Sequence, residues 1–163
     1  MKYKIILLGL SLFLYGLALA LPCLLFNVVP IDSVGASPSD PNAVYAMRGF
    51  ELTFFGIIGV LFLQIPAIGW FANPIYWLCC IMFMLQRYRF STIAGIAAVL
   101  IGFGGTLSAF WFNLPADSGG VSELALNQFL LGFWLWLAAP SLITLVSIIS
   151  LLKQPAQLTA RSN

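Results

Sequence analysis

The uncharged stretch that decides the fold is LTFFGIIGVLFLQIPAIGWFANPIYWLCCIMFML, residues 52–85. As one straight helix it would be about 50 Å long, whereas the hydrocarbon core of a bilayer is about 30 Å thick. Pro66 and Pro74 both interrupt the hydrogen-bond ladder of a helix. The stretch therefore predicts a membrane-crossing segment that is broken around Pro66 and Pro74.

Two topologies fit this stretch. A hairpin of two short spans would give five crossings and would move the basic residues of the next loop to the side opposite the N-terminus. We favour one net crossing, with a helix over about 49–65, an irregular segment, and a second helix that ends near Leu85. Non-helical backbone at membrane depth is tolerated only where protein or a water-filled cavity covers it. We therefore expect residues 66–74 to be buried, and which half of 52–85 makes the full crossing stays open.

The composition of the whole chain is that of an integral membrane protein. Of its 163 residues, 61% are hydrophobic and 7% are charged, whereas a soluble domain usually carries about 25% charged residues. A soluble domain of this size has too large a surface to hide so much apolar area. We expect one transmembrane domain over residues 1–163, an all-α four-helix bundle with an uncleaved first span. The predicted spans are about 5–26, 49–86 (broken), 92–112 and 124–152, and the predicted outer loops are 27–48 and 113–123.

The charged residues divide between the two sides of this arrangement. All basic residues except Arg48 fall at the two termini or in the second loop, whereas the acidic residues fall in or beside the two outer loops. Basic residues in short loops mark the cytoplasmic face of a membrane protein. The pattern therefore predicts that both termini are cytoplasmic. The basic residues on the cytoplasmic side would be Lys2, Lys4, Arg87, Arg89, Lys153 and Arg161.

Polar side chains deep in the predicted spans are few, and Gln64 and Asn73 lie deepest. A proline leaves a backbone carbonyl without its donor, and the amide of Asn73 beside Pro74 can satisfy backbone groups nearby. The segment is either a structural kink with its cap or a contact for a polar ligand. This candidate site consists of Gln64, Trp70, Asn73 and Pro74.

Small residues recur at every fourth position of the third predicted span. Side chains of this size let helix backbones approach closely in lipid. Such a face packs either inside the bundle or against a partner. It consists of Ala94, Ala98, Gly102 and Thr106.

The sequence offers little for catalysis or metal binding. It has no histidine, the side chain that most often acts as a general base near neutral pH and as a metal ligand. Every charged residue lies at or beyond the end of a predicted helix. Cys79 and Cys80 suggest a thiol redox hypothesis, but adjacent cysteines form a strained ring, and buried cysteines more often act as small hydrophobic residues. We expect no catalytic residue, no cofactor, no bound metal and no nucleic-acid partner.

Residues 48–137 contain several short motifs of charged, small and aromatic residues. They are Arg48-Gly49-Phe50-Glu51, Gly56, Trp70-Phe71-Ala72-Asn73-Pro74, the basic loop at Arg87, and Gly132-Phe133-Trp134-Leu135-Trp136-Leu137. These motifs resemble those of small uncharacterised bacterial inner-membrane proteins, which carry a similar W-x-A-N-P segment and a later G-x-x-L-W-L segment. The resemblance implies a bacterial cytoplasmic membrane and brings no activity with it.

We therefore expect a non-enzymatic small integral membrane protein that binds another membrane component, as an accessory subunit, an assembly factor or an immunity-type protein. Its partners would be the lipid bilayer and either another membrane protein or a second copy of itself. The alternative is a small oligomeric transporter or channel that uses the break over residues 64–74 as its polar site, since discontinuous helices often form substrate sites. A water-filled cavity that reaches Asn73 would favour this alternative, and a dry packed interior would count against it. A lipid-modifying or redox enzyme would need polar groups gathered at one face, whereas the charged residues are split between two sides.

Overall fold

The computed structural model describes residues 2–30, 44–116 and 122–159. This part of the chain is mostly helical, as the sequence predicts, but it also contains a four-stranded antiparallel sheet. The prediction of a purely all-α fold is therefore wrong. The elements in chain order are α1 (Lys2–Ala20), β1 (Pro22–Pro30), β2 (Val44–Arg48), α2 (Gly49–Leu61), a 3₁₀ helix (Ile65–Phe71), α3 (Ala72–Met84), α4 (Tyr88–Leu107), a short 3₁₀ helix (Ser108–Phe110), β3 (Leu114–Pro115), β4 (Ser122–Phe129) and α5 (Leu131–Thr159).

Four helical segments are long and apolar enough to cross a membrane, as the sequence predicts. In the bundle, α1 packs against α5, and α4 packs against both α3 and α5. The outside of the bundle exposes large apolar side chains such as Phe13 and Leu100, while Ser11, Ser91 and Ser147 are buried. This arrangement suits hydrocarbon surroundings better than water. The four segments are Tyr3–Ala20, Ile65–Met84, Tyr88–Phe110 and Leu131–Lys153.

The break in the second span lies earlier than the sequence predicts. Helix α2 ends at Leu61, and the chain turns at residues 62–64, where Leu63 has a φ of 55°. Residues 66–74 are not irregular, because the 3₁₀ helix continues directly into α3. Pro66 and Pro74 lie in the first turns of these two helices, where the missing N–H would have had no partner within the helix.

The position of the break decides which half of the second span has the length to cross a membrane. Helix α2 has 13 residues and is about 20 Å long, which is shorter than a hydrocarbon core of about 30 Å. The segment Ile65–Met84 has 20 residues and the required hydropathy. The second half, which begins after the turn, is therefore the candidate crossing.

Helix α2 and the 3₁₀ helix fold back on each other as a helical hairpin (residues 49–71). The indole Nε1 of Trp70 donates a hydrogen bond of 2.9 Å to the carbonyl of Thr53. A Cβ on Gly56 would lie 2.6 Å from Trp70 Cδ1, so only glycine admits the indole at this distance. The backbone N–H of Arg48 donates to Glu51 Oε2 at 2.9 Å and caps the start of α2. The contacts of Trp70 therefore join the first half of α2 to the end of the 3₁₀ helix.

The hairpin is seated on α4 through backbone contact. A Cβ on Gly105 would lie 2.5 Å from Gly69 Cα, and a Cβ on Gly69 would lie 2.9 Å from Thr106 Oγ1. Such close approach of backbones is how helices in lipid gain van der Waals contact. The 3₁₀ helix therefore lies directly on the last turns of α4.

The sheet covers one end of the bundle, at which α1 and α4 end and α2 and α5 begin. We call this the sheet end. The strand order is β2-β1-β4-β3, with every pair antiparallel. The side chains of Leu24, Phe26, Leu124 and Leu126 are buried on the inner face, and Asn127 is exposed on the outer face. This alternation is that of a sheet with one face on the core.

Two predicted spans include residues that form strands. The first predicted span, 5–26, continues into β1, and the fourth, 124–152, begins inside β4. Helix α1 ends at Ala20 because Pro22 disfavours helical backbone at the residue before it. An apolar strand and the end of an apolar helix give the same hydropathy signal, which is why the predicted spans were too long at the sheet end. Of the predicted outer loops, 27–48 contains part of β1 and all of β2, and residues 31–43 and 117–121 lie outside the described residues.

Replacement of Gly105 by alanine is expected to lower the free energy of unfolding by about 1–3 kcal/mol, because the new methyl group would push α4 and the 3₁₀ helix apart. The adjacent Gly104 is the matched control, since a Cβ there would have nothing within 4 Å. Denaturant unfolding in mild detergent micelles measures both variants. Equal destabilisation by the two substitutions would contradict the packing of the hairpin on α4.

Candidate binding cavity

A cavity of about 240 Å³ lies at the sheet end of the bundle. The hairpin forms one wall, to which α2 contributes Leu52 and Gly56. The inner face of the sheet and the sheet-end turns of α4 and α5 form the others, with Leu24, Leu124 and Phe133 among their lining residues. The cavity therefore lies between the hairpin and the sheet, beside the contact of the hairpin with α4.

The lining is largely apolar, and none of the described residues that form it is charged. Its two threonines use their hydroxyl hydrogens within their own helices: Thr53 Oγ1 donates to the carbonyl of Gly49 at 2.9 Å, and Thr106 Oγ1 donates to that of Gly102 at 2.7 Å. The remaining polar side chains of the lining are the indoles and the amides of Gln64 and Asn73. The amides therefore determine which polar group the cavity can hold.

Asn73 stands at the inner limit of the cavity, in the first turn of α3. Its side-chain oxygen accepts hydrogen bonds from Trp136 Nε1 at 2.9 Å and from Tyr15 Oη at 3.1 Å. An indole N–H can only donate, so the oxygen and not the nitrogen of the amide must face Trp136. The amide nitrogen, Nδ2, makes no hydrogen bond in the described part of the chain, although Asn73 is only 7% exposed. Asn73 is thus a nearly buried residue whose free donor, Nδ2, is not fully enclosed by the protein.

Gln64 lies in the turn of the hairpin. Its backbone N–H donates to the carbonyl of Gly59 at 2.9 Å, which closes the turn. Its side-chain amide, by contrast, makes no hydrogen bond with a described residue and lines the cavity. A Cβ on Gly59 would lie 2.9 Å from Gln64 Oε1, so the glycine makes room for this amide.

Below Asn73 the interior is packed. The ring of Tyr15 stacks on that of Tyr76 with centroids 5.0 Å apart. The hydroxyl of Tyr76 shares a hydrogen bond of 2.8 Å with Ser11 Oγ, and Ser11 donates at 2.7 Å to the carbonyl of Ala139. Asn73 therefore rests on a hydrogen-bonded layer that joins α1, α3 and α5.

The structure brings together three of the four residues of the predicted polar site. Gln64, Trp70 and Asn73 all line the cavity, whereas Pro74 is exposed and does not. Tyr15 and Trp136, the two donors that orient Asn73, were not predicted as part of this site. No periodic pattern distinguishes Trp136, which contacts Asn73, from its more exposed neighbour Trp134.

The predicted face of small residues packs inside the chain. Ala94 and Ala98 belong to the buried core. Gly102 lies beneath the indole of Trp136, since a Cβ there would be 2.8 Å from Trp136 Cη2. Thr106 lines the cavity beside Gly69. The face thus positions α4 against the 3₁₀ helix, α3 and α5.

The cysteines are buried free thiols. Cys79 Sγ donates to the carbonyl of Ser91 at 3.2 Å inside the bundle. Cys23 lies in β1 and lines the cavity, and burial raises the pKa of its thiol to about 12. A thiol with such a pKa stays protonated at neutral pH and is a poor nucleophile. The thiol redox hypothesis concerns Cys79 and Cys80, and it stays a hypothesis.

Comparisons with known proteins give no match: no family model, no curated protein and no solved structure is similar to this chain. The cavity is therefore interpreted from its own geometry.

Replacement of Asn73 by leucine is expected to lower the free energy of unfolding by about 1–3 kcal/mol, because Trp136 Nε1 and Tyr15 Oη would lose their acceptor in a buried place. Asn127→Leu is the control, since that exposed side chain makes only a hydrogen bond of 3.3 Å to Asn27. It should change stability by less than about 0.5 kcal/mol. Denaturant unfolding in detergent measures both, and an Asn73→Leu variant as stable as the control would refute the anchoring of Asn73.

Proposed function

We propose that the protein is a non-enzymatic integral membrane protein that binds another membrane component in the sheet-end cavity. The observation that carries the proposal is a preformed apolar cavity that contains two amides with unused hydrogen-bonding capacity. Ligand sites in proteins are typically concave and mostly apolar, with a few placed polar groups that orient the ligand. An accessory subunit, an assembly factor or an immunity-type protein would each need such a binding site.

The charges at the two ends of the bundle support an orientation in the membrane. Lys4, Arg87, Arg89 and Lys153 lie at the end opposite the sheet, which we call the basic end. Basic residues mark the cytoplasmic face. The proposed placement is the cytoplasmic membrane of a bacterium, with both termini in the cytoplasm and with the sheet and the cavity in the outer half of the protein.

The chemistry of the lining supports binding without reaction. General acid–base catalysis requires a group that exchanges a proton near the working pH. The described lining contains no Asp, Glu, Lys, Arg or His, and the thiol of Cys23 stays protonated. The component would therefore leave the cavity chemically unchanged.

The alternative of a transporter or channel is favoured by a cavity that reaches Asn73, but two other observations count against it. It relies on an unwound segment whose free carbonyls bind a substrate, whereas residues 65–84 are helical throughout. The cavity also reaches inward only to Asn73, beneath which Tyr15 and Tyr76 fill the interior. A polar route from the cavity to the basic end would have to open through this packed layer.

The surroundings of the hairpin favour a component that reaches the cavity from the bilayer. The far side of the hairpin exposes Phe54 and Ile57, and its turn exposes Leu61, Phe62 and Leu63. Apolar side chains on this side would lie in hydrocarbon at little cost, whereas water would penalise them. A lipid-soluble component would therefore meet the hairpin before it met any charged surface.

A membrane-impermeant maleimide should label Asn127→Cys in intact cells and should label Arg89→Cys only after the cells are permeabilised. Both positions are exposed, the first at the sheet end and the second at the basic end. The native cysteines are buried and give a low background. Labelling of Arg89→Cys in intact cells would reverse the proposed orientation.

Purification of the full chain from its native membrane into nanodiscs should retain a stoichiometric component, detected by mass spectrometry of lipids, small molecules and proteins. Leu52→Trp, which adds volume to the cavity wall, should abolish its retention. Ile57→Trp on the same helix is the control, because Ile57 does not line the cavity and is exposed. The proposal fails if nothing is retained by the unaltered chain, or if both variants retain the component equally.

A further inference from the structure

We infer that the ligand of the sheet-end cavity is an uncharged lipophilic molecule whose carbonyl oxygen accepts a hydrogen bond from Asn73 Nδ2. This inference rests on the proposed function, which it extends from a place of binding to a class of ligand.

At the inner limit of the cavity, the side-chain amide of Asn73 offers a ligand a hydrogen-bond donor but no acceptor. Both lone pairs of Asn73 Oδ1 are taken, one by Trp136 Nε1 at 2.9 Å and one by Tyr15 Oη at 3.1 Å. The two N–H bonds of Nδ2 remain without a partner in the described chain. A plain hydrocarbon placed against Nδ2 would leave this donor without an acceptor, at a cost in free energy. A ligand that supplies an acceptor here therefore gains free energy that a plain hydrocarbon cannot.

The amide cannot reverse its orientation to offer an acceptor instead. Rotation by a half turn would set the NH₂ group of Asn73 against the N–H of Trp136, two donors in contact. The indole of Trp136 has little room to withdraw toward α4, because a Cβ on Gly102 would lie only 2.8 Å from its Cη2. The packing of α4 and α5 therefore keeps the NH₂ group of Asn73, and not its oxygen, facing the cavity.

The lining also selects against charge. An anionic head such as a phosphate or a carboxylate would have no cation among the described lining residues, and a cationic head would have no carboxylate. An unpaired charge in a cavity of low dielectric constant is costly. A carbonyl oxygen satisfies the free donor of Asn73 and brings no charge.

The rest of the lining fits a hydrocarbon body. Phe55, Trp70 and Phe133 provide aromatic surface, and the second free amide, that of Gln64, lies on the hairpin side. A volume of about 240 Å³ is below the roughly 300–1,000 Å³ of sites for drug-sized ligands. The cavity therefore holds the carbonyl and a part of the body, while the remainder of a longer molecule lies in the bilayer. Two membrane sources share this chemistry: the ester carbonyl of a glycerolipid and the ring carbonyl of an isoprenoid quinone.

The test compares matched probes on the unaltered full chain in detergent micelles. The probes are a diacylglycerol, a short-chain isoprenoid quinone, and for each the hydrocarbon of the same skeleton without oxygen. Binding is measured by the rise in Tm as the probe is titrated. The side-chain NH₂ signal of Asn73 is followed by NMR in protein labelled with ¹⁵N-asparagine, with the signal assigned by its loss in Asn73→Leu.

At least one carbonyl probe is expected to bind about tenfold more tightly than its hydrocarbon, a difference that corresponds to one hydrogen bond. That probe should also shift the Asn73 NH₂ protons downfield. In Asn73→Leu the preference should disappear, while in Asn127→Leu it should persist. Preference for the diacylglycerol alone assigns the glycerolipid source, and preference for the quinone alone assigns the quinone source.

Different results would overturn the inferred ligand class and the proposed function. If each carbonyl probe and its hydrocarbon bind with equal affinity and the Asn73 signal does not move, the inferred ligand class is wrong while binding in the cavity stands. If no probe raises Tm and the native-membrane preparation retains no component, the proposed function falls with it. Because the Tm titration of the probes uses only the unaltered chain, it tests the ligand class even if Asn73→Leu does not fold.

Discussion

The hydrogen bonds from Trp136 and Tyr15 to the side-chain oxygen of Asn73 are the constraint on which the site depends. They join α1, α3 and α5 at one depth, between the packed core and the cavity. Interhelical hydrogen bonds in membrane proteins contribute only about 0.6 kcal/mol on average, so their main consequence here is orientation. They fix which end of the Asn73 amide faces the cavity, because the indole N–H of Trp136 can only donate a hydrogen bond.

A second constraint, backbone contact at glycine, keeps the cavity open on its other side. Gly105 brings α4 against Gly69, and Gly56 accommodates the indole of Trp70 against α2. The hairpin is therefore fixed along one edge, and the space that remains between it and the sheet is the cavity. In lipid, where burial of apolar surface gives little drive for helix association, such close contacts and hydrogen bonds carry the packing. The positions of these glycine contacts therefore determine where the cavity lies.

The sequence alone predicts much of the bundle but not the sheet or the exact hairpin. The four long apolar segments follow from hydropathy, because the length of a span is set by the bilayer. The strands after Ala20 and before Leu131 could not be separated from the spans, since both are apolar and only pairing between distant segments defines them. Pro66 and Pro74 were expected to break the span, yet they begin helices, and the turn occurs at Leu63, a residue with no turn signal. Gln64 and Asn73 could be chosen from sequence because polar groups deep in a span need partners. The free donor of Asn73 could not be predicted, since the orientation of its amide depends on Tyr15 and Trp136 from two other helices.

The most direct test of the central claim is an experimental structure of the protein purified with its native lipids, determined by cryo-electron microscopy with a bound antibody fragment. The account predicts density for an elongated molecule between the hairpin and the bundle, with a polar atom about 2.7–3.2 Å from Asn73 Nδ2. Its body would lie against Trp70 and Phe133. A hairpin collapsed onto the sheet, with its own side chains filling the space beside Asn73, would contradict it.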